Sequence, residues 1–356
     1  MTDEAPLDVA GLGACPIPIS DYPNVLLAHG GGGSLSQMLI EGMFAPTFAN
    51  DWLDPLHDGA VIDVDAGRLA VSTDSFVISP MFFPGGDIGS LAVHGTVNDV
   101  AMCGARPMAI TVGMVIEEGL AMEDLWRIVS SIKAAADEAG VAVATGDTKV
   151  VDRGKGDGIF INTTGFGMVP DGIDIRPERI QAGDKVIVSG TIADHGIAIM
   201  SVREGLEFET ALESDSASLG ELVEAILTAG GNDVHVLRDP TRGGVASATN
   251  EIAQAAKLGI RLRENAIPMQ DQVRAACEIL GFDPLYVANE GKLIAIVGED
   301  TADTVLAAMQ SHPRGADATI IGEVVDDHPG RVFLTSRIGG NRVVDMLSGE
   351  QLPRIC

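Results

Sequence analysis

Positive charge is scarce in this chain: 23 Lys and Arg stand against 51 Asp and Glu, a net charge of −28 over 356 residues. So acidic a protein repels a phosphate backbone at ordinary salt, which excludes nucleic acid as a partner. Cysteine is scarce too. Cys15, Cys103, Cys277 and Cys356 are widely spaced and form no C-x-x-C pair, which excludes a zinc ribbon or a disulfide framework and suits a reducing cytoplasm. No apolar run approaches the ~20 residues that span a bilayer, and Met1 to Ala10 lacks the basic segment and apolar stretch of a secretory signal. The fingerprints G-x-x-x-x-G-K-S/T, G-x-G-x-x-G, H-E-x-x-H and G-x-S-x-G are absent, so the common nucleotide-binding and hydrolase folds lose support.

What is present is a foldable composition, 46% hydrophobic and 21% charged, in a chain long enough for two domains of roughly 150 residues each. Residues 1–24 carry Pro6, Pro16, Pro18 and Pro23 and read as a loose extension. Short β-branched runs then alternate with helix-period segments, an α+β or α/β signature: Ala60 to Val64, Leu69 to Thr73, Ala109 to Val115, Val141 to Ala144 and Gly158 to Thr163. Met122 to Ala139 sets Leu125, Ile128, Val129, Ile132 and Ala136 on one stripe and stops at Gly140, where a left-handed residue is expected. The Pro-, Gly- and charge-rich stretch before Lys185 marks a boundary, giving domains 25–170 and 171–345. The second holds a helix opening at Gly243-Gly244, another from about Asp271 to Leu280, and strands at Lys185 to Ser189, Leu293 to Val297, Thr319 to Val324 and Val332 to Thr335. Pro353 and the polar residues of 346–356 argue for a mobile tail.

Glycine is abundant, at 43 residues, and it clusters with Asp. His29-Gly30-Gly31-Gly32-Gly33-Ser34 precedes an apolar-periodic helix that Ser34 and Gln37 are placed to cap. Its bare N–H groups suit an anion or a lid, and a flexible hinge is the plainer alternative. Asp74, Asp99, Asp147 and Asp239 sit at strand or helix edges in tight polar company. One such Asp is ordinarily a turn or a cap, but four together suit Mg²⁺, which shares its shell with nucleotide phosphates. Among the few cations, Lys149 lies two residues from Asp147 on the same strand face, Arg242 lies in the Gly-Gly turn, and Lys292 follows Glu290-Gly291. Cys103 and Cys277 read as small core residues on helices. Cys356, the last residue given, is either incidental or a swinging carrier.

Taken together, His29 to Gly33, Ser72 to Ser75, Phe82 to Gly89, Asn98 to Ala101, Gly146 to Val151, Asp194 to Gly196, Asp239 to Gly244, Asn289 to Lys292 and the final Pro353-Arg354-Ile355-Cys356 resemble the HypE hydrogenase maturation family of the aminoimidazole ribonucleotide synthetase-like (PurM-like) superfamily. The resemblance runs from about Val25 to the end, and the closing Pro-Arg-Ile-Cys is its most specific part. It implies an α+β fold of two domains, the N-terminal one forming a shared β-barrel in a homodimer and the C-terminal one α/β.

It also implies a carbamoyl dehydratase. A HypF-like carbamoyltransferase loads the Cys356 thiol, ATP with Mg²⁺ drives dehydration to a thiocyanate, and the cyanide passes to iron on a HypC–HypD-like scaffold. The resemblance gives Cys356 as the carrier, with Glu290, Lys149 or His195 as the base. Asp74, Asp99 and Asp147 fall to the metal. His29, Gly30, Gly31, Gly32, Gly33, Asn98, Asp239, Thr241, Arg242, Gly243 and Gly244 fall to the nucleotide. Two rivals remain at this stage: another ATP-dependent synthetase of the superfamily with Cys356 incidental, and a non-enzymatic acidic scaffold.

Overall fold

In the computed structural model, residues 22–26, 29, 34–51, 67–205, 212–347, 352 and 354–356 are described. The glycine loop 30–33 and the expected strand at Ala60 to Val64 lie outside them, as do residues 1–21 of the N-terminal extension.

A short helical stretch comes first, α1 (Ser34–Leu39), a π turn and α2 (Ala45–Phe48). The first large unit follows: β1 (Arg68–Phe76), the small hairpin β2 (Phe82–Phe83) and β3 (Gly86–Asp87), α3 (Ile88–Met102), β4 (Arg106–Glu117), α4 (Met122–Glu138), β5 (Ala142–Val151) and β6 (Ile159–Val169). Its sheet runs β1-β6-β4-β5, antiparallel except for the β4–β5 pair. The strands read as strands because their residues alternate: Ala70 and Phe76 of β1 are buried while Leu69 and Val71 are exposed. The buried rows lie under α3, whose Asp87 cap accepts from the N–H groups of Gly89 and Ser90 in a capping box. Helix α3 is buried nearly all round because it is pressed between this sheet, α4 and the second unit. Gly165 and Gly167 of β6 permit the approach, since a Cβ on either would fall under 3 Å from the Val100 side chain. The amphipathic α4 ends as its pattern predicts, with Gly140 at φ +66°.

The second unit holds β7 (Lys185–Val188), α5 (Asp194–Glu204), α6 (Gly220–Gly230), β8 (Val234–Arg238), α7 (Gly244–Ala256), β9 (Gly259–Arg263), α8 (Asp271–Leu280), β10 (Ile294–Val297), α9 (Ala302–Gln310), β11 (Thr319–Val325), β12 (Val332–Thr335) and β13 (Asn341–Val344). The strand order is β13-β12-β9-β11-β7-β10-β8. One face packs Val186, Val188, Ile294 and Ile296 against Val245 and Ile252 of α7; the other packs Ile187, Ala295 and Val297 against α6 and α9. Only β9 and β12 pair in parallel, so the expected α/β character of the C-terminal half is corrected to a mixed, mainly antiparallel α+β layer. The helices cross over between strands of the same sense, β7 to β8, β8 to β9 and β10 to β11, but those strands are not neighbours, because strands of opposite sense lie between them. No helix among the described residues is long and apolar enough to cross a membrane.

Candidate active site

The two units meet where the chain ends. The described part of the expected mobile tail is tied down. Cys356 O accepts from Val77 N at 3.1 Å and Arg354 O from Ser79 N at 3.3 Å, an antiparallel addition to residues 77–79. Arg354 Nε donates to Val77 O at 2.9 Å, and its guanidinium pairs with Asp157. From α5, Arg203 donates to Ser79 O at 2.6 Å and also to Arg354 O. Ile355 is buried, and Cys356 lines a cleft of about 270 Å³ with Val77, Arg242, Ala288 and Leu352. Burial, and next the Glu290 charge, push the thiol up to about 12 against the opposing pull of Arg242. Docked here it is a thiol, not a thiolate.

Glu290 is buried, and its Oε1 has no hydrogen-bond partner. Its backbone is pinned from both sides: the N–H donates to Asp215 Oδ1 at 3.1 Å, and the carbonyl accepts from Asn98 Nδ2 at 3.2 Å. Gly291 must follow, because a Cβ there would fall 1.7 Å from Asp215 O. Burial, then the charges of Asp239, Asp215, Asp74 and Asp99, hold the Glu290 carboxyl well above the usual range. Asp239 is pushed to about 7 by burial and by Asp99, and Asp99 is raised by burial and by Asp74, opposed by the Ser72 hydroxyl that donates to it at 2.8 Å. Asp74, Asp99, Asp239 and Glu290 are thus one acidic group, with Arg242 at 3.8 Å from Asp74 and Cys356 within its field.

Other predicted residues stand elsewhere or do other work. Asp147 pairs with Gly113, Gly113 with Asn162 and Asn162 with Ser75, so Asp147 lies at the far edge of the sheet, three strand spacings or about 14 Å from β1. It is also on the opposite face from Asp74, whose neighbours in sequence, Thr73 and Ser75, share its face. Lys149 is bound to Asp147 at 2.5 Å there, with both side chains mostly exposed, and it lowers the Asp147 carboxyl. Neither reaches Glu290 within one chain. Asn98 spends its amide on the unit interface, accepting from Leu219 N at 2.8 Å and donating to Ala217 O at 2.9 Å as well as to Glu290 O. Both N–H donors are taken up by the unit interface, so only the second lone pair of Oδ1 is left for a ligand. His195 is buried with both ring nitrogens engaged, so it is not placed as a base. Buried His29 accepts from Leu26 N at 2.8 Å.

Thr241, Gly243 and Gly244 form the turn into α7, where Gly244 N donates to Thr241 O at 2.9 Å and both glycines have positive φ. Cys103 is exposed at the end of α3, not in the core; it sits past the last buried turn. Cys277 is buried as expected. Sequence reasoning missed Asp215, although Ser214-Asp215-Ser216 repeats the polar bracketing of Thr73-Asp74-Ser75. With Lys292 at 3.5 Å, Asp215 lines a polar pocket of about 180 Å³.

Two family models match the chain: AIR synthase related protein, N-terminal domain, over residues 56–169, and AIR synthase related protein, C-terminal domain, over residues 181–335. Carbamoyl dehydratase HypE of Bradyrhizobium diazoefficiens is 56% identical over 330 residues, 93% of this chain and 95% of that protein. The Escherichia coli carbamoyl dehydratase HypE is 47% identical over 338 residues, 94% and 99% of the two chains. Among solved structures, hydrogenase maturation protein HypE in complex with ATP superposes with a TM-score of 0.90 at 48% identity, covering 93% of this chain and 99% of that one. A HypE–HypF complex superposes at 0.77 with 47% identity, covering 87% and 99%. A thiamine-monophosphate kinase from Stenotrophomonas maltophilia, at 20% identity and 0.63, shares the fold alone. Identity of this order along nearly the whole length, with the end of the chain docked beside buried Glu290, leads to one conclusion: the chain belongs to the HypE family of carbamoyl dehydratases, within the AIR synthase related proteins.

Proposed function

We propose that this chain dehydrates a carbamoyl group carried on its own Cys356, using ATP, and hands on cyanide for the iron of a nickel-iron hydrogenase. The observation that carries the reading is the seating of Cys356 in a cleft whose field is dominated by Glu290, a buried carboxylate with a free oxygen. The carboxamide oxygen takes the γ-phosphate of ATP, which converts a hydroxide, a poor leaving group, into phosphate. Loss of the two N–H protons and the phosphate leaves S–C≡N, with ADP as the other product. Glu290, whose surroundings raise its proton affinity, is the base for those N–H protons. On this reading Arg242, Asp239 and the turn into α7 hold the nucleotide phosphates.

Mg²⁺ fits the donor set. Asp74 and Asp99 offer only hard oxygens; burial first and then mutual repulsion raise Asp99 and Asp239, and a dication would relieve the repulsive part. Among the described residues no group of three His, Cys, Asp or Glu is gathered as a ligand set. The magnesium supplies charge neutralisation for the transferred phosphoryl group.

Asp147 and Lys149 join the site from a second copy. The face of the sheet turned away from α3 carries exposed Leu69, Val71 and Val115, and β1 and β5 are both edges. Closing two such sheets into one barrel covers that face and removes the edges. It also brings the β5 edge of one copy to the β1 edge of the other. The homodimer, the division at 170/171, a HypF-like donor, a HypC–HypD-like acceptor and a cytoplasmic setting all belong to this reading. Intact-mass analysis tests it: after incubation with carbamoyl phosphate, ATP, Mg²⁺ and the carbamoyltransferase, the chain gains one carbamoyl group and then loses one water. A Cys356-deleted chain that turns over equally overturns it.

A further inference from the structure

We infer that His195, oriented by Ser214, is the latch that fixes the end of the chain for dehydration: a positioning residue for Cys356, not a proton acceptor. The inference deepens the proposed chemistry at Cys356 and rests on it for its meaning, though not for its geometry.

His195 lies in the first turn of α5, wholly buried, with its ring edge-on to Phe83 at 5.7 Å. Nε2 is 2.8 Å from Ile355 O and Nδ1 is 2.7 Å from Ser214 Oγ. A carbonyl only accepts, so Nε2 carries the hydrogen, and Nδ1 of the neutral ring accepts from the Ser214 hydroxyl. That hydroxyl is fixed in turn, since its oxygen accepts from Ser216 N at 3.1 Å, while Ser214 N donates to Pro84 O at 2.8 Å. The bonds therefore run one way: Ser216 N–H to Ser214 Oγ, Ser214 O–H to His195 Nδ1, and His195 Nε2–H to Ile355 O. Neither ring nitrogen remains to take a proton from a group on Cys356. The carbonyl it grips belongs to the peptide joining Ile355 to Cys356, so this bond sets where Sγ points. Arg203 and Ser79 N hold the Arg354 carbonyl, and Val77 N holds the Cys356 carbonyl at 3.1 Å. His195 is the side-chain tie on the buried residue between them, Ile355.

The test compares His195→Ala, His195→Gln and Ser214→Ala in the full chain by labelling with iodoacetamide. Cys356 is read by mass on the Gln351–Cys356 peptide released by cleavage after Glu350, beside exposed Cys103 and buried Cys277 in the same sample. Losing one buried hydrogen bond raises Cys356 labelling about five- to tenfold in His195→Ala. His195→Gln restores it to within about twofold, because the amide nitrogen of Gln reaches the Nε2 position. Ser214→Ala falls between, and Cys103 and Cys277 stay at their wild-type rates. Dehydration of the carbamoylated chain drops in His195→Ala and recovers in His195→Gln. Unchanged Cys356 labelling in His195→Ala, a Gln variant as labile as the Ala variant, or a rise shared by Cys277 overturns the latch. A wild-type chain that shows the labelling pattern yet never loses water overturns the dehydratase reading instead and leaves the latch standing.

Discussion

Exchanging Glu290 for Gln separates chemistry from architecture at this site. The contacts that hold residue 290 are made by its backbone, to Asp215 Oδ1 and Asn98 Nδ2, and Gly291 beyond it is unchanged, so the amide occupies the same place. The carboxyl sits among Asp239, Asp215, Asp74 and Asp99, all of which raise it. Removing its charge therefore relieves repulsion, and the melting temperature of Glu290→Gln at pH 8 holds or rises. What is lost is the group that accepts N–H protons, worth about 10²- to 10⁴-fold in rate. The carbamoylated chain then accumulates, and intact mass separates it from the thiocyanate by one water. A Gln variant that forms the dehydrated adduct at the wild-type rate refutes the assignment and makes Lys149 the next residue to test.

A shared site predicts complementation: Glu290→Gln and Lys149→Ala are each inactive, but a 1:1 mixture re-equilibrated into dimers regains about a quarter of wild-type activity, since half the dimers carry one intact site of two. No regain on mixing removes Lys149 from the partner's site. Asp239→Asn tests the acidic group by its pH dependence. A carboxyl whose folded value is raised to about 7 binds its proton more tightly when folded, so its penalty is absent at low pH and grows as pH rises from the unfolded value of 3.8 to about 7. Asp239→Asn therefore raises the melting temperature by about 2–4 °C at pH 8 and little at pH 4; a loss at pH 8 contradicts it. Asn98→Ala strands Leu219 N, Ala217 O and Glu290 O at the unit interface and costs about 2–4 kcal/mol in thermal or urea unfolding. An unchanged melting temperature refutes that structural role.

Much of this arrangement is legible in local pattern. The stripe of α4, the left-handed stop at Gly140 and the alternation of β1 follow from periods of 3.6 and 2. Helix α3 is different: buried on all sides, it has no stripe, and its burial depends on a second unit that no local window contains. The same limit governs the site. The β5 pattern gives the face shared by Asp147 and Lys149, but only the order β1-β6-β4-β5 shows that they stand across the sheet from Asp74. The proline and polar residues near the end suggested a free tail, whereas its ties to Val77, Ser79, His195 and Arg203 lie more than 150 residues away in sequence and leave no local mark.

The strand-like seating of Arg354 to Cys356 along Val77 to Ser79 bears on how this reaction is counted. If Cys356 carries the carbamoyl group as proposed, that group never diffuses in, so the dehydration step is first order in loaded chains and unaffected by dilution, and saturation with that group has no meaning. Each chain also holds its product where its next load must go. On that proposal repeated cycles run no faster than Cys356 is emptied and refilled, and a burst of about one thiocyanate per chain precedes any steady rate.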